Sequence, residues 1–327
     1  MNAPEEGKLE RRQFLSTPAA TLLAQQQQRE PQGGGTGSVS YQVQVTVERQ
    51  QSGKPHKGKV LAAIQPHCDD IPLFAGGAVL KLIDEGYEGI LITMSDDSKA
   101  GSGATIGEIV LKNERDTNEV ARRLGLKESI FLDYPNHNMD GWSVLEMRSR
   151  LVFLFRVFKV DTVFVYDPSA LYERNPDHYV TARAVEWAAA IAGTRWDYPE
   201  HFKAGLKPHG VRERYYFARG PQLVNRVVDI SSYMDGKVWA NIANVTQGPA
   251  GNHGAALRKR LAAQGKRLPI LGNDDDTANK AYTKNFALKR DRIRGQAYGL
   301  EYAEYYHYIG PDESDLGDYV EKNAVPL

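Results

Sequence analysis

Residues 59–70 read K-V-L-A-A-I-Q-P-H-C-D-D, from Lys59 to Asp70. An apolar run ending at Ile64 is followed by His67 and by two adjacent carboxylates, Asp69 and Asp70. Unbroken apolarity, without alternation, is the mark of a strand covered on both faces, as in a parallel sheet between two layers of helices. The chain then turns apolar again in I-P-L-F-A-G-G-A-V-L-K-L-I, Ile71 to Ile83. Two neighbouring carboxylates repel one another, and these two lie between segments that are expected to be buried. A metal ion is the natural partner to offset that cost.

Outward from this stretch, strand and helix patterns alternate. Val39, Tyr41, Val43, Val45 and Val47 alternate with polar residues and predict a half-buried edge strand. Leu73–Glu85 predicts a helix, Gly89–Met94 a second buried strand, and Ile106–Leu124 a helix stopped by Gly125. Ile130–Leu132, Thr162–Tyr166 and Tyr215–Ala218 predict further strands, and Val144–Phe158 and His178–Ala192 further helices. Asp229–Gln247, Leu257–Arg267 and Ala281–Gln296 have helical spacing, and Tyr302–Tyr308 is dense in tyrosine and reads as a pocket lining or an oligomer contact. Repeated strand–helix alternation predicts an α/β fold, a mostly parallel sheet with helices on both faces. Ligands in such sheets bind beyond the carboxyl ends of the strands. His67–Asp70, Asp96–Asp97, Asn136–His137 and Asp167–His178 all fall there.

The chain has 327 residues, with 41 Lys+Arg against 41 Asp+Glu. Zero net charge argues against a general nucleic-acid binder. The single cysteine, Cys68, excludes a disulfide within the chain, and no apolar run approaches a membrane span. Arg11-Arg12-Gln13-Phe14-Leu15, followed by a modest apolar stretch to Ala24, has the form of a twin-arginine export signal. Residues 25–38 are rich in Gln and Gly and read as a linker. The expected organisation is a signal and linker over 1–38 and a single domain over 39–327. The expected location is the periplasm, with the cytoplasm as the alternative.

His67 and Asp70 lie three residues apart on the turn leaving a strand, and Asp177-His178 opens a helix in E-R-N-P-D-H-Y-V-T-A-R. His67, Asp70 and His178 make a nitrogen–oxygen set suited to Zn²⁺ with an open position for water, or to Fe²⁺. Asp69 is then free to act as a base. Each piece also has an ordinary use: a hydrogen-bonded histidine, an Asx turn, and, at Asp177, a helix N-cap.

P-H-C-D-D before a Gly-Gly helix, and N-P-D-H opening a later one, resemble the PIG-L/LmbE family of metal-dependent N-acetylglucosamine deacetylases. The resemblance covers about Lys59 to Ala192 and extends more weakly to G-K-V-W-A-N-I-A-N-V-T-Q, Gly236 to Gln247. It implies a Rossmann-like three-layer sandwich, His67, Asp70 and His178 as metal ligands, Asp69 as general base, and an amino-sugar substrate losing its N-acetyl group. The sequence departs from the family pattern in places. Cys68 stands for a proline and Ile71 for a glutamate. Asn175 stands for a histidine; it can donate a hydrogen bond to an oxyanion but cannot deliver a proton. His137 is a further candidate for that proton. Asn113 and Asp116 depart from an Arg-x-x-Glu motif, and Asn244 replaces another histidine. Trp142, Tyr166, Tyr172 and Tyr179 are candidates to stack on a sugar, with ordinary packing preferred for Tyr166. The alternatives are a metal- or sugar-binding protein on the same fold without hydrolysis, or a metallohydrolase of another amide or ester.

Overall fold

A computed structural model describes residues 43–311, 320 and 322–325; the export-signal and linker region falls outside the described residues. The apolar run at Lys59–Ile64 forms β2 (Val60–Gln65), which lies inside an eight-stranded sheet. With β1 (Thr46–Glu48), β3 (Glu88–Ser95), β4 (Glu128–Tyr134), β5 (Thr162–Tyr166), β6 (Glu213–Phe217), β7 (Arg226–Asp229) and β8 (Ala303–Ile309), the order is β1-β7-β8-β6-β5-β2-β3-β4. Every pairing is parallel except those of β8, which runs antiparallel between β6 and β7.

The apolar run of β2 is explained by two cores, one on each face. Leu61 and Ala63 point into one, Ala62 and Ile64 into the other. On the first face pack α1 (Asp70–Phe74), α2 (Gly76–Asp84), α3 (Ile106–Arg123) and α7 (Met234–Asn241). On the second pack α4 (Val144–Phe158) and α5 (Pro176–Ile191). This is a three-layer α/β sandwich. Among the described residues no helix is long and apolar enough to cross a membrane.

Three expectations need correction. The helix expected over Leu73–Glu85 is two helices, α1 and α2, broken at Ala75. The tyrosine-rich stretch is a sheet strand, β8, absent from the lining of the candidate cavity, and its Tyr306 is wholly buried. The C-terminal helical stretch divides into α8 (His253–Ala262), α9 (Asp275–Tyr282), a π-helical turn over Thr283–Ala287 and α10 (Lys289–Gln296).

β8 also reaches across the sheet to α2. The Glu304 carboxylate accepts from the backbone N–H groups of Gly77 and Ala78, at 2.9 and 2.8 Å. It thus satisfies donors that the first turn of α2 leaves open. Position 77 has no room for a side chain, because a Cβ would lie 2.7 Å from Ile230. Lys237, buried on α7, donates to Glu304 and to Asp291 of α10, each at 2.6 Å. Removing one partner of such a network leaves an uncompensated buried charge. Lys237→Ala is therefore expected to lower the unfolding free energy by ~3–5 kcal/mol. Chemical denaturation measures this, and a loss below ~1 kcal/mol would mean that the network does not hold α2, α7, α10 and β8 together.

Candidate metal centre

From β2 the chain builds β3 and β4 on one side, then returns to place β5 and β6 on the other. The loops after β2 and β5 diverge at this switch point and leave a crevice. His67 and Asp70 follow β2, and Asp177 and His178 open α5 after β5. Asn175 is the N-cap of α5, its Oδ1 accepting from the Asp177 N–H at 3.0 Å. The cap expected at Asp177 therefore falls to Asn175, and Asp177 is free for another task.

His67, Asp70 and His178 are all buried, and one possible ligand atom from each lies within 4.8 Å of the other two. His67 Nδ1 stands 3.1 Å from His178 Nε2 and 3.4 Å from Asp70 Oδ2. The far nitrogen of His67, Nε2, lies 3.0 Å from Asp177 Oδ2. Glu173 Oε2 lies 3.3 Å from His178 Nδ1 but off the line of its N–H, which makes no hydrogen bond. Carboxylates thus stand behind both imidazoles and leave their lone pairs facing one another. Tyr166 donates to Asp70 Oδ1 at 2.6 Å, and its ring stacks on His178 with centroids 4.1 Å apart.

Electrostatics point the same way. Burial disfavours a charged His67, yet hydrogen bonds to Asp177 and Asp70 carry its pKa well above the ordinary value. Burial alone would raise Asp70, but His178 and His67 hold it down at about 2. The surroundings ask for positive charge at the point where the three side chains meet, and a divalent cation answers that demand by displacing a proton. With nitrogen and oxygen donors and no thiolate, the set fits Zn²⁺ or Fe²⁺. Asp69, half-buried, faces the same cavity, where burial and the adjacent Asp70 charge raise its pKa to about 6. A carboxylate tuned toward neutrality suits a proton acceptor.

The cavity holds about 330 Å³ and is also lined by Asn136, His137, Asn175, Arg219, Gln247 and Arg290. All six residues singled out from sequence (His67, Asp69, Asp70, His137, Asn175 and His178) therefore meet in one place. His137 is exposed and adopts a left-handed backbone, φ 62°. That turn aims its N–H at Asp177 Oδ2, 2.7 Å away. Gly248, with φ 94°, covers Asp69 so closely that a Cβ would lie 3.1 Å from its Oδ2. Cys68 turns away from the cavity and is buried, its Sγ 2.8 Å from Gln247 Nε2.

Several neighbours of the site have no role assigned by the sequence. Asp177 reads as a cap, Glu173 as a loop charge, and Arg219 as an ordinary residue after a strand. Asp97 accepts from the Cys68 N–H at 2.9 Å, and burial with the Asp69 charge raises it to about 7. Its position directly after β3 was the available signal. The aromatic candidates lie elsewhere: Trp142, Tyr172 and Tyr179 do not line the cavity, and Tyr166 reaches it only through Asp70 and His178. Asn113 is structural, its amide donating to the carbonyls of Asp97 and Ala100 at 3.0 Å each, and Asp116 accepts from the Thr246 N–H at 2.8 Å. Asn244 donates to the Cys68 carbonyl at 3.2 Å.

Comparison with known proteins agrees with this geometry. Residues 62–189 match the family model described as PIG-L, GlcNAc-PI de-N-acetylase. That match supports a PIG-L/LmbE-type deacetylase domain over these residues. Diacetylchitobiose deacetylase from Thermococcus kodakarensis is 28% identical over 198 residues, 58% of this chain and 71% of that one. Among solved structures, N,N'-diacetylchitobiose deacetylase from Pyrococcus horikoshii shares the fold with a TM-score of 0.62 at 24% identity, over 79% of this chain and 88% of that one. The 4-carboxy-2-hydroxymuconate hydratase from Pseudomonas putida shares it with a TM-score of 0.56 at 18% identity, over 79% and 98%.

Elemental analysis of the purified chain is expected to find one divalent metal per molecule, lost in His67→Ala and Asp70→Ala. Asp177→Asn, which weakens only the support behind His67, is expected to keep the site but lower metal affinity ~10–100-fold in a chelator competition. Unchanged affinity in Asp177→Asn would remove that carboxylate from the metal centre.

Proposed function

We propose that the chain is a metal-dependent hydrolase that removes the N-acetyl group of an N-acetylglucosamine-type sugar or conjugate. The observation that carries this reading is the convergence of His67, Asp70 and His178 beside Asp69 in a cavity that also exposes Asn175. His67, Asp70 and His178 would hold the metal, with Zn²⁺ favoured and Fe²⁺ the alternative. When bound, such an ion supplies Lewis acidity and makes water a nucleophile near neutral pH.

The chain's own groups supply the rest. Asp69 accepts the proton of the attacking water as the new C–O bond forms on the acetyl carbon. Asn175, which lines the cavity, spends its Oδ1 on capping α5, which leaves Nδ2 as a donor without an acceptor among the described residues. In this reading that N–H stabilises negative charge on the acetyl oxygen. As the C–N bond breaks, the amine takes a proton returned by Asp69, or from the His137 ring at the cavity rim. Acetate and a free amino sugar leave. The relatives named diacetylchitobiose deacetylase support this choice of substrate class.

Acetate release from N-acetylglucosamine and diacetylchitobiose, assayed on metal-loaded protein, tests the reading. Asp69→Asn is expected to retain metal and lose ~10²–10⁴-fold in kcat. Full turnover in that variant would take the base role away from Asp69. Asn175→Ser keeps a capping oxygen but shortens the donor, and is expected to cost ~10²-fold in kcat with little change in stability. A wild-type chain that carries its metal and releases no acetate from a broad panel of acetamido sugars would sink the proposal.

A further inference from the structure

Two arginines face the candidate cavity, and they are not equivalent. Arg219 is committed: its Nε donates to Glu173 Oε2 at 3.0 Å and a second nitrogen donates to Oε1 of the same carboxylate. Arg290, near the start of α10, is not. It lines the cavity, yet its guanidinium has no hydrogen-bond or ion-pair partner among the described residues. The guanidinium lies over the face of Phe74, its carbon 4.4 Å from the ring centroid. Phe74 is itself held by stacking on Phe217, centroids 5.6 Å apart, so the guanidinium rests on a rigid aromatic floor.

This placement is costly. A guanidinium carries five donors and a permanent charge, and leaving them without acceptors in a partly desolvated place is unfavourable. Burial and the charges of Arg294 and Arg219 work against Arg290, while the next residue, Asp291, is already bound to Lys237 at 2.6 Å. That same Asp291–Lys237 bond pins the start of α10 and so fixes where Arg290 can reach. A π-helical turn, Thr283–Ala287, comes just before it, and such turns recur at functional sites. A planar fork, stacked, oriented and unpaired, fits an oxyanion from outside the chain.

We propose that Arg290 is a specificity-determining residue that binds an anionic group, a phosphate or a carboxylate, borne by the acetamido sugar. The inference rests on the deacetylase reading and adds to it a charge requirement set by a residue outside the segment matched to the family. The substrate then carries its acetamido group to the metal centre and its oxyanion to the Phe74–Arg290 shelf.

The test compares kcat/KM of metal-loaded wild type and Arg290→Gln on four probes: N-acetylglucosamine and diacetylchitobiose as neutral sugars, N-acetylglucosamine 6-phosphate as a phosphate, and N-acetylmuramic acid as a carboxylate. Wild type is expected to favour one anionic probe by about tenfold or more, and which one names the oxyanion. Arg290→Gln is expected to lose at least about tenfold more on that probe than on the neutral sugars, chiefly through KM, with Arg290→Lys recovering part of it. Equal losses on all four probes would overturn the proposal and assign Arg290 to packing or to the departing acetate. No preference in wild type would overturn it as well. A second arm does not need turnover: calorimetric binding of glucosamine 6-phosphate and of muramic acid, each against glucosamine, to metal-loaded Asp69→Asn protein. A preference for either anion that disappears in Asp69→Asn/Arg290→Gln supports the shelf even if no probe is hydrolysed, whereas no preference there overturns it.

Discussion

Two imidazole nitrogens, His67 Nδ1 and His178 Nε2, stand 3.1 Å apart, each with a carboxylate set behind its ring. Nothing in that arrangement is comfortable without positive charge at the centre, and the surrounding structure keeps it from relaxing. Asp177 cannot swing away, because the N–H groups of His137 and Met139 hold its oxygens at 2.7 and 3.2 Å. His178 cannot turn, because Tyr166 lies flat against it and is tied to Asp70. Three loops from three strand ends are therefore locked around one point. The left-handed backbone at His137 and Tyr172, on two of these loops, and at Asp97, on the loop after β3, places local strain beside the site.

The fold was legible wherever burial on both faces left a continuous apolar run. Thr162–Tyr166 is a strand with the expected bounds, and Val144–Phe158 a helix with the expected bounds. Legibility failed where tertiary context decides. β7 is only four residues long and has no periodicity of its own. β8 is rich in tyrosine because it packs between two strands and against α2, a circumstance no local pattern announces. The break at Ala75 follows from the turn that sets Asp70 at a helix start, and helical spacing runs straight across it.

The site divides in the same way. Residues with chemistry written into their type and spacing, His67, Asp69, Asp70 and His178, could be picked out from the chain alone. Those that act by supporting others could not. Asp177, Tyr166 and Asp97 could be placed near the strand ends but not given these contacts, and Glu173 reads as a loop charge; what each one does is a matter of which atom it meets across the fold. Arg290 is harder still: it lies beyond the matched segment, in a basic helix where any one arginine looks like its neighbours. What distinguishes it is the lack of a hydrogen-bond or ion-pair partner among the described residues.

Glu304 has one more consequence. The hydrogen bond from Gly77 to its carboxylate spans 227 residues of chain. Until β8 has been made and inserted, α2 lacks its cap, Lys237 lacks one of its two anions, and β7 with β1 has no strand to join it to β6. Contacts of such long sequence separation form slowly. During synthesis, then, His67 and Asp70, just after β2, emerge early and wait for a strand made far later. The helix that follows them, α2, gains its cap only when the sheet closes, so the order of synthesis and the order of assembly run apart.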